Sequence, residues 1–119
     1  MHKVAIVIYS SLKGDGMSAN FRAFNFAEEL MQAGDDVVVV FDGSGTKALA
    51  DVLAMEATQT FRRGWDKAAD SLGGVCEACS KAYKVHDVLE AAGVPMLDGH
   101  RGHIALRQFL NEGRQIITF

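Results

Sequence analysis

The sequence predicts an α/β fold, a three-layer arrangement in which helices flank a five-stranded parallel sheet. Three observations predict it. Val4-Ala-Ile-Val-Ile-Tyr9 and Val37 to Phe41 are continuous apolar runs rich in β-branched residues, the pattern of strands buried on both faces. Stretches with apolar residues at helical spacing separate the strands and end on glycine. Strands and helices therefore alternate along the chain, which implies right-handed crossovers and a parallel sheet.

The elements follow in order. Ser10 to Ser18 is a polar, glycine-containing loop after the first strand. Asn20 to Ala33 is a helix with Phe21, Phe24, Ala27, Leu30 and Met31 on its inner face and Gly34 as its stop. The second strand ends at Asp42-Gly43-Ser44-Gly45, and Thr46 caps a helix that runs to about Met55. Glu56 to Leu72 has sparse apolar residues and reads as a partly helical excursion over the surface. Within it, Arg62-Arg63 beside Trp65 reads as a solvated charged turn or a partner contact. Gly73-Gly74-Val75 leads into Cys76 as a short third strand. Ala78 to Ala92 reads as one helix with Ala82, Val85, Val88 and Leu89 inward. Val94 to Leu97 is a fourth strand, at the sheet edge if Pro95 lies within it. Asp98 to Gly102 is a loop, Ile104 to Asn111 a helix, and Gln115 to Phe119 the last strand. The expected strand order is the flavodoxin-like 2-1-3-4-5.

Bulk properties bound the function. At 119 residues the chain has the size of one domain, here residues 1–119. A net charge of −3 argues against nucleic-acid binding, which requires a basic face. No apolar stretch is long enough to span a bilayer, and the six apolar residues after Met1-His2-Lys3 are too few for a secretory leader. The expected location is the cytoplasm, where thiols stay reduced, so Cys76 and Cys79 suggest chemistry or metal rather than a structural disulfide.

Ligands in open parallel sheets sit beyond the carboxyl ends of the strands. That rule gathers Ser10 to Ser18, Asp42 to Thr46, Cys76 to Cys79 and Asp98 to His103 on one edge, with the site expected between the Ser10 loop and Cys76. Cys76 ends a strand and opens a helix, where free backbone N–H groups favour a thiolate, the form that attacks sulfur. Cys79 lies one turn on and can face the same space. Glu77 and Asp98 disfavour a thiolate there; Lys81, Arg101 and a protonated histidine favour it. The plain alternative is two small buried apolar side chains. Ser10, Ser11, Lys13 and Asn20 are candidates to bind a small anion beside Cys76, while His100, Arg101 and His103 shape access, one histidine serving as an acid–base helper.

The segment Gly74-Val-Cys-Glu-Ala-Cys-Ser-Lys-Ala-Tyr83 resembles the DsrE/DsrF-like family, more closely its YchN-like branch. The opening Lys3-Val-Ala-Ile-Val7 and closing Arg114-Gln-Ile-Ile-Thr-Phe119 segments are similar as well, so the resemblance runs through nearly the whole chain. It implies a five-stranded parallel sheet and a homotrimer or hexamer. It also implies a cysteine at the end of the third strand, matched by Cys76, that carries persulfide sulfur between a donor and an acceptor protein. Cys79 matches the second cysteine of the YchN-like pattern. Where relay members often carry an arginine pair, this chain has Lys81-Ala-Tyr-Lys84.

Other readings use the same residues. Thioredoxin-like dithiol exchange suits a CxxC, but Pro95 follows Cys79 too closely to face the pair. Cys76, Cys79, His100 and His103 supply the four ligands of a zinc site, with HxxH tighter than usual; solvated loop histidines are the plain alternative. Gly14-Asp-Gly16-Met-Ser-Ala19 matches GxGxxA, but it starts four residues beyond the strand and reads better as a permissive turn. The leading expectation is a sulfur-relay protein with no cofactor. The alternative is a non-catalytic oligomeric module that binds a small ligand or metal through structural cysteines.

Overall fold

The computed structural model describes residues 1–119. In chain order the elements are β1 (Lys3–Ile8), α1 (Gly16–Gln32), β2 (Asp36–Phe41), α2 (Gly45–Leu53), α3 (Thr60–Ala68), β3 (Leu72–Cys76), α4 (Glu77–Ala82), α5 (His86–Ala91), β4 (Met96–Leu97), α6 (Leu106–Asn111) and β5 (Gln115–Thr118). All five strands are parallel. No helix is long and apolar enough to cross a membrane.

The strand order is β4-β3-β2-β1-β5, which corrects the expected 2-1-3-4-5. The chain steps outward from β1 to β4 without reversing, then returns past the whole sheet to place β5 against β1. Right-handed crossovers that advance in one direction put their helices on one face, and a crossover that runs back puts its helix on the other. Accordingly Phe24 and Ala27 of α1, Leu49 and Val52 of α2, Trp65 of α3 and Leu89 of α5 share one core with Ile6, Ile8, Val39, Phe41 and Val75. The opposite face, with Ala5, Val7 and Val40, is covered by Phe109 of α6. The third layer is thus a single short helix, and Leu106 and Leu110 on it are exposed.

Glycine explains why β3 docks on β2. A Cβ at Gly73 would lie 2.5 Å from Val38 Cγ2, so only a bare backbone fits beside the branched side chains of β2. The fourth strand lies at the sheet edge, where Pro95 precedes it and its carbonyl accepts the Val75 N–H at 3.0 Å.

Two helical regions differ from expectation. The 56–72 stretch is not a surface excursion: α3 buries Gly64, Trp65 and Ala68. Arg62 is not a free solvated cation, since it donates to the Leu53 and Met55 carbonyls at 3.1 and 3.0 Å and pairs with Asp66 at 3.0 Å. It closes the C-terminal end of α2. The expected helix from Ala78 to Ala92 is broken into α4 and α5. Lys84 takes a left-handed conformation (φ 61°), with Val85 N–H donating to Ser80 O and Lys84 N–H to Lys81 O. This is a Schellman stop with lysine at the position that glycine usually fills.

Candidate functional site

Three chain segments meet at the carboxyl ends of β2 and β3. The first is the CxxC. Cys76 is the last residue of β3 and the N-cap of α4, and its Sγ accepts the Cys79 N–H at 3.4 Å. The three-residue spacing is that of an N-cap and the backbone N–H it satisfies, so the motif itself sets this contact. It also puts the Cys79 sulfur on the same side of the helix start.

The second segment is a tight hairpin. His100 and His103 exchange backbone hydrogen bonds at 3.0 and 2.8 Å around Arg101 (φ 52°) and Gly102 (φ 82°). Positive φ at both central residues is the two-residue turn that matches strand twist, and glycine makes its second position inexpensive. The Gly102 carbonyl accepts the Ala78 N–H at 2.9 Å, which ties the hairpin to the first turn of α4. His103 Nδ1 thereby comes within 3.2 Å of Cys76 Sγ and 3.6 Å of Cys79 Sγ.

The third segment is the end of β2. The Cys79 thiol donates to Asp42 Oδ1 at 3.4 Å, and the Gly43 N–H holds the same oxygen at 2.8 Å. One ligand-type atom from each of Asp42, Cys76, Cys79 and His103 lies within 4.8 Å of the others. Cys76 is fully buried, Asp42 and Cys79 are partly buried, and His103 is exposed.

The site is electrostatically asymmetric. The Cys79 thiol is pushed up to about 12, first by burial and then by its hydrogen bond with Cys76; the Gly43 N–H works the other way, and Asp42 adds to the rise. The Tyr9 hydroxyl is raised too, first by burial and then by the negative charge of Asp42, Cys79 and Cys76. Half-exposed Tyr9 stands beside Gly43, next to Asp42: a Cβ at Gly43 would lie 3.6 Å from its ring. A thiol held protonated is a slow nucleophile. In fully reduced protein, Cys79 is expected to alkylate slowly at neutral pH and to gain rate only toward strongly alkaline pH, which site-resolved mass spectrometry of iodoacetamide labelling measures.

The structure sorts the residues expected from sequence. Cys76, Cys79 and His103 come together. His100 does not join them, which corrects the Cys76–Cys79–His100–His103 quartet: it is exposed beside Leu106 and Leu110, and Asp42 takes its place. Arg101 sits at the exposed tip of the turn. Lys81 pairs with Glu77 at 2.9 Å on the surface. The Ser10 loop is not beside Cys76, because β2 lies between β1 and β3. Asn20 is buried and spends both amide hydrogens on the Ser10 and Gly16 carbonyls, each at 2.8 Å, so it shapes that loop instead of binding an anion. Ser11 Oγ accepts the Lys13 N–H at 3.4 Å within the same loop. Sequence reasoning gathered the Asp42 segment on the same sheet edge as the thiols but did not name Asp42 as a site residue, because its adjacency to β3 depends on the strand order; Tyr9, at the end of β1, was not singled out at all.

Comparison with known proteins places this arrangement. The chain is 29% identical over 118 residues to the uncharacterized protein MJ0733 of Methanocaldococcus jannaschii, covering 97% of this chain and 93% of the relative. Its fold is similar to that of the ychN protein from E. coli, with a TM-score of 0.64, 15% identity and the full length of both chains covered. It is also similar to the protein of unknown function BT1422 from Bacteroides thetaiotaomicron, with a TM-score of 0.63, 14% identity, and 97% and 94% of the two chains covered. The profile of the DsrE/DsrF-like family matches residues 2–119. This chain belongs to the DsrE/DsrF-like family.

Proposed function

We propose that the protein relays sulfane sulfur, with Cys76 as the carrier and Cys79 as the resolving thiol. The family is associated with sulfur relay. The observation that carries the reading here is the environment of the Cys76 sulfur. It accepts the Cys79 N–H at 3.4 Å and lies 3.2 Å from His103 Nδ1, so a backbone donor and an imidazole nitrogen both face the attacking atom. Cys76 is buried, but polar side chains cover it: Cys79, partly buried, and His103, exposed, both lie against its sulfur. A donor reaches the sulfur by way of these two side chains.

The chemistry balances without an added oxidant. The Cys76 thiolate attacks the outer sulfur of a donor persulfide, RS–SH. The donor S–S bond breaks, a new S–S bond forms on Cys76, and RS⁻ leaves as a thiolate. An acceptor thiolate then attacks the outer sulfur and releases Cys76. If Cys79 attacks the inner sulfur instead, a Cys76–Cys79 disulfide forms and hydrosulfide departs. His103 can take or return the proton in either step. A donor protein, an acceptor protein and a homo-oligomer belong to the same proposal, and light scattering tests the last of these.

Intact mass after incubation with a small-molecule persulfide donor tests the relay. The wild type is expected to gain one sulfur atom per chain, Cys76→Ser none, and Cys79→Ser a longer-lived adduct because the resolving thiol is missing. Equal loading of Cys76→Ser and wild type rules the carrier role out.

A further inference from the structure

We propose that Asp42, Cys76, Cys79 and His103 form a four-coordinate site for a thiophilic divalent cation of the zinc class. The inference stands on ligand geometry and does not rest on sulfur relay. A tetrahedral zinc-class ion has bonds of about 2.3 Å to sulfur and about 2.0–2.1 Å to nitrogen or oxygen, so its sulfur–nitrogen and sulfur–oxygen edges are about 3.5 Å long. The corresponding edges here are 3.2 Å (Cys76 Sγ to His103 Nδ1), 3.6 Å (Cys79 Sγ to His103 Nδ1) and 3.4 Å (Cys79 Sγ to Asp42 Oδ1). No pair among the four donor atoms exceeds 4.8 Å. Three of the six edges already have the lengths of a coordination tetrahedron, and the remaining donor pairs close on an ion by contracting from within 4.8 Å.

The groups behind the ligands support the same reading. Three of the four ligands are held by contacts that leave a lone pair free for a cation. The Cys79 N–H donates to Cys76 Sγ, the Gly43 N–H orients the Asp42 carboxylate, and paired backbone bonds with His100 fix His103. Such outer contacts orient ligands and raise affinity. Two sulfurs, one imidazole and one carboxylate select zinc-like ions over magnesium or calcium, which prefer all-oxygen sets. The partial exposure of Asp42 and Cys79 and the exposure of His103 give the ion a way in. On binding, both thiol protons leave to solvent and two metal–sulfur bonds form, with no change of oxidation state. An ion on both sulfurs occupies the lone pairs that would attack a sulfane sulfur, so the metal-bound and persulfidated states exclude each other.

Cobalt(II) is the probe, because a tetrahedral thiolate site gives intense visible bands and near-ultraviolet charge transfer, whereas an octahedral aqua site is nearly colourless. Reduced, chelator-stripped full-length protein is expected to bind one Co(II) per chain with that spectrum, and Zn(II) to bleach it. Asp42→Ala, at a partly buried position, and His103→Ala, at an exposed one, should weaken Co(II) binding by at least the roughly tenfold to hundredfold that even outer contacts contribute. His100→Ala should retain it. Absence of the tetrahedral spectrum in the wild type, full affinity in Asp42→Ala or His103→Ala, or its loss in His100→Ala would each overturn the assignment. Persulfide loading is read separately on the metal-free chain, so failure of the metal site and failure of the relay give different results.

Discussion

Trp65→Ala is expected to lose about 3–5 kcal/mol of folding stability, the range for removing a large buried aromatic side chain. Trp65 is 2% exposed. Its ring lies 5.3 Å from that of Phe24 and 5.4 Å from that of Phe41, tilted by 59° and 74°. Such offset and edge-on contacts add about 0.5–1.5 kcal/mol each beyond the area buried. The indole joins α3 to α1 and to β2. A domain of this size has a total stability of about 5–15 kcal/mol, so the variant is left with a fraction of it. Urea denaturation followed by circular dichroism measures the loss. Tyr83→Ala, at a 45% exposed position, serves as the control and should stay within about 0.5 kcal/mol of wild type. Equal effects of the two substitutions would contradict the buried placement of Trp65.

Gly45→Ala is expected to cost on the order of 3 kcal/mol, at the upper end for overpacking, because the obstacle is backbone. An added Cβ would sit 2.0 Å from the Ile8 carbonyl oxygen and 2.8 Å from its carbon. That oxygen also accepts the Asp42 N–H at 2.9 Å, and the Gly45 N–H donates to the Asp42 carbonyl at 2.8 Å. Relief of the clash therefore moves the start of α2 together with Asp42, which the Cys79 thiol contacts at 3.4 Å. Gly14→Ala is a useful contrast: its Cβ meets nothing within 4 Å, so only the left-handed backbone (φ 55°) adds a cost, roughly 1–2 kcal/mol. Comparable denaturation midpoints for the two variants would contradict the close approach at Gly45.

The legible parts of the fold are those that local chemistry writes directly. β1 and β2 are continuous branched runs that no other element accommodates, and Gly34 and Gly93 mark stops of left-handed backbone. The strand order was not legible, because periodicity carries no record of the direction in which each crossover runs. The stop between α4 and α5 was hidden because Lys84, not glycine, takes the left-handed position. The buried face of α3 was hidden for a different reason. Much of its contact is made by small residues: a Cβ at Gly64 would come within 2.9 Å of Phe21 Cε1, so the absence of a side chain makes the fit. In the site, spacing alone brings Cys76 and Cys79 together. The choice of His103 over His100 depends on the turn at Arg101–Gly102, and Asp42 comes from a strand 34 residues before Cys76, joined to the site only by β2–β3 pairing.

The position of the loaded sulfur tests the central claim most directly. Trypsin cleaving after Lys67 and Lys81 leaves both cysteines on one peptide, so fragment ions between them assign an alkylated persulfide to one or the other. Brief loading of the metal-free wild type, followed by alkylation, is predicted to put the extra sulfur on Cys76. Extra sulfur confined to Cys79, with Cys76 carrying none, would contradict the account.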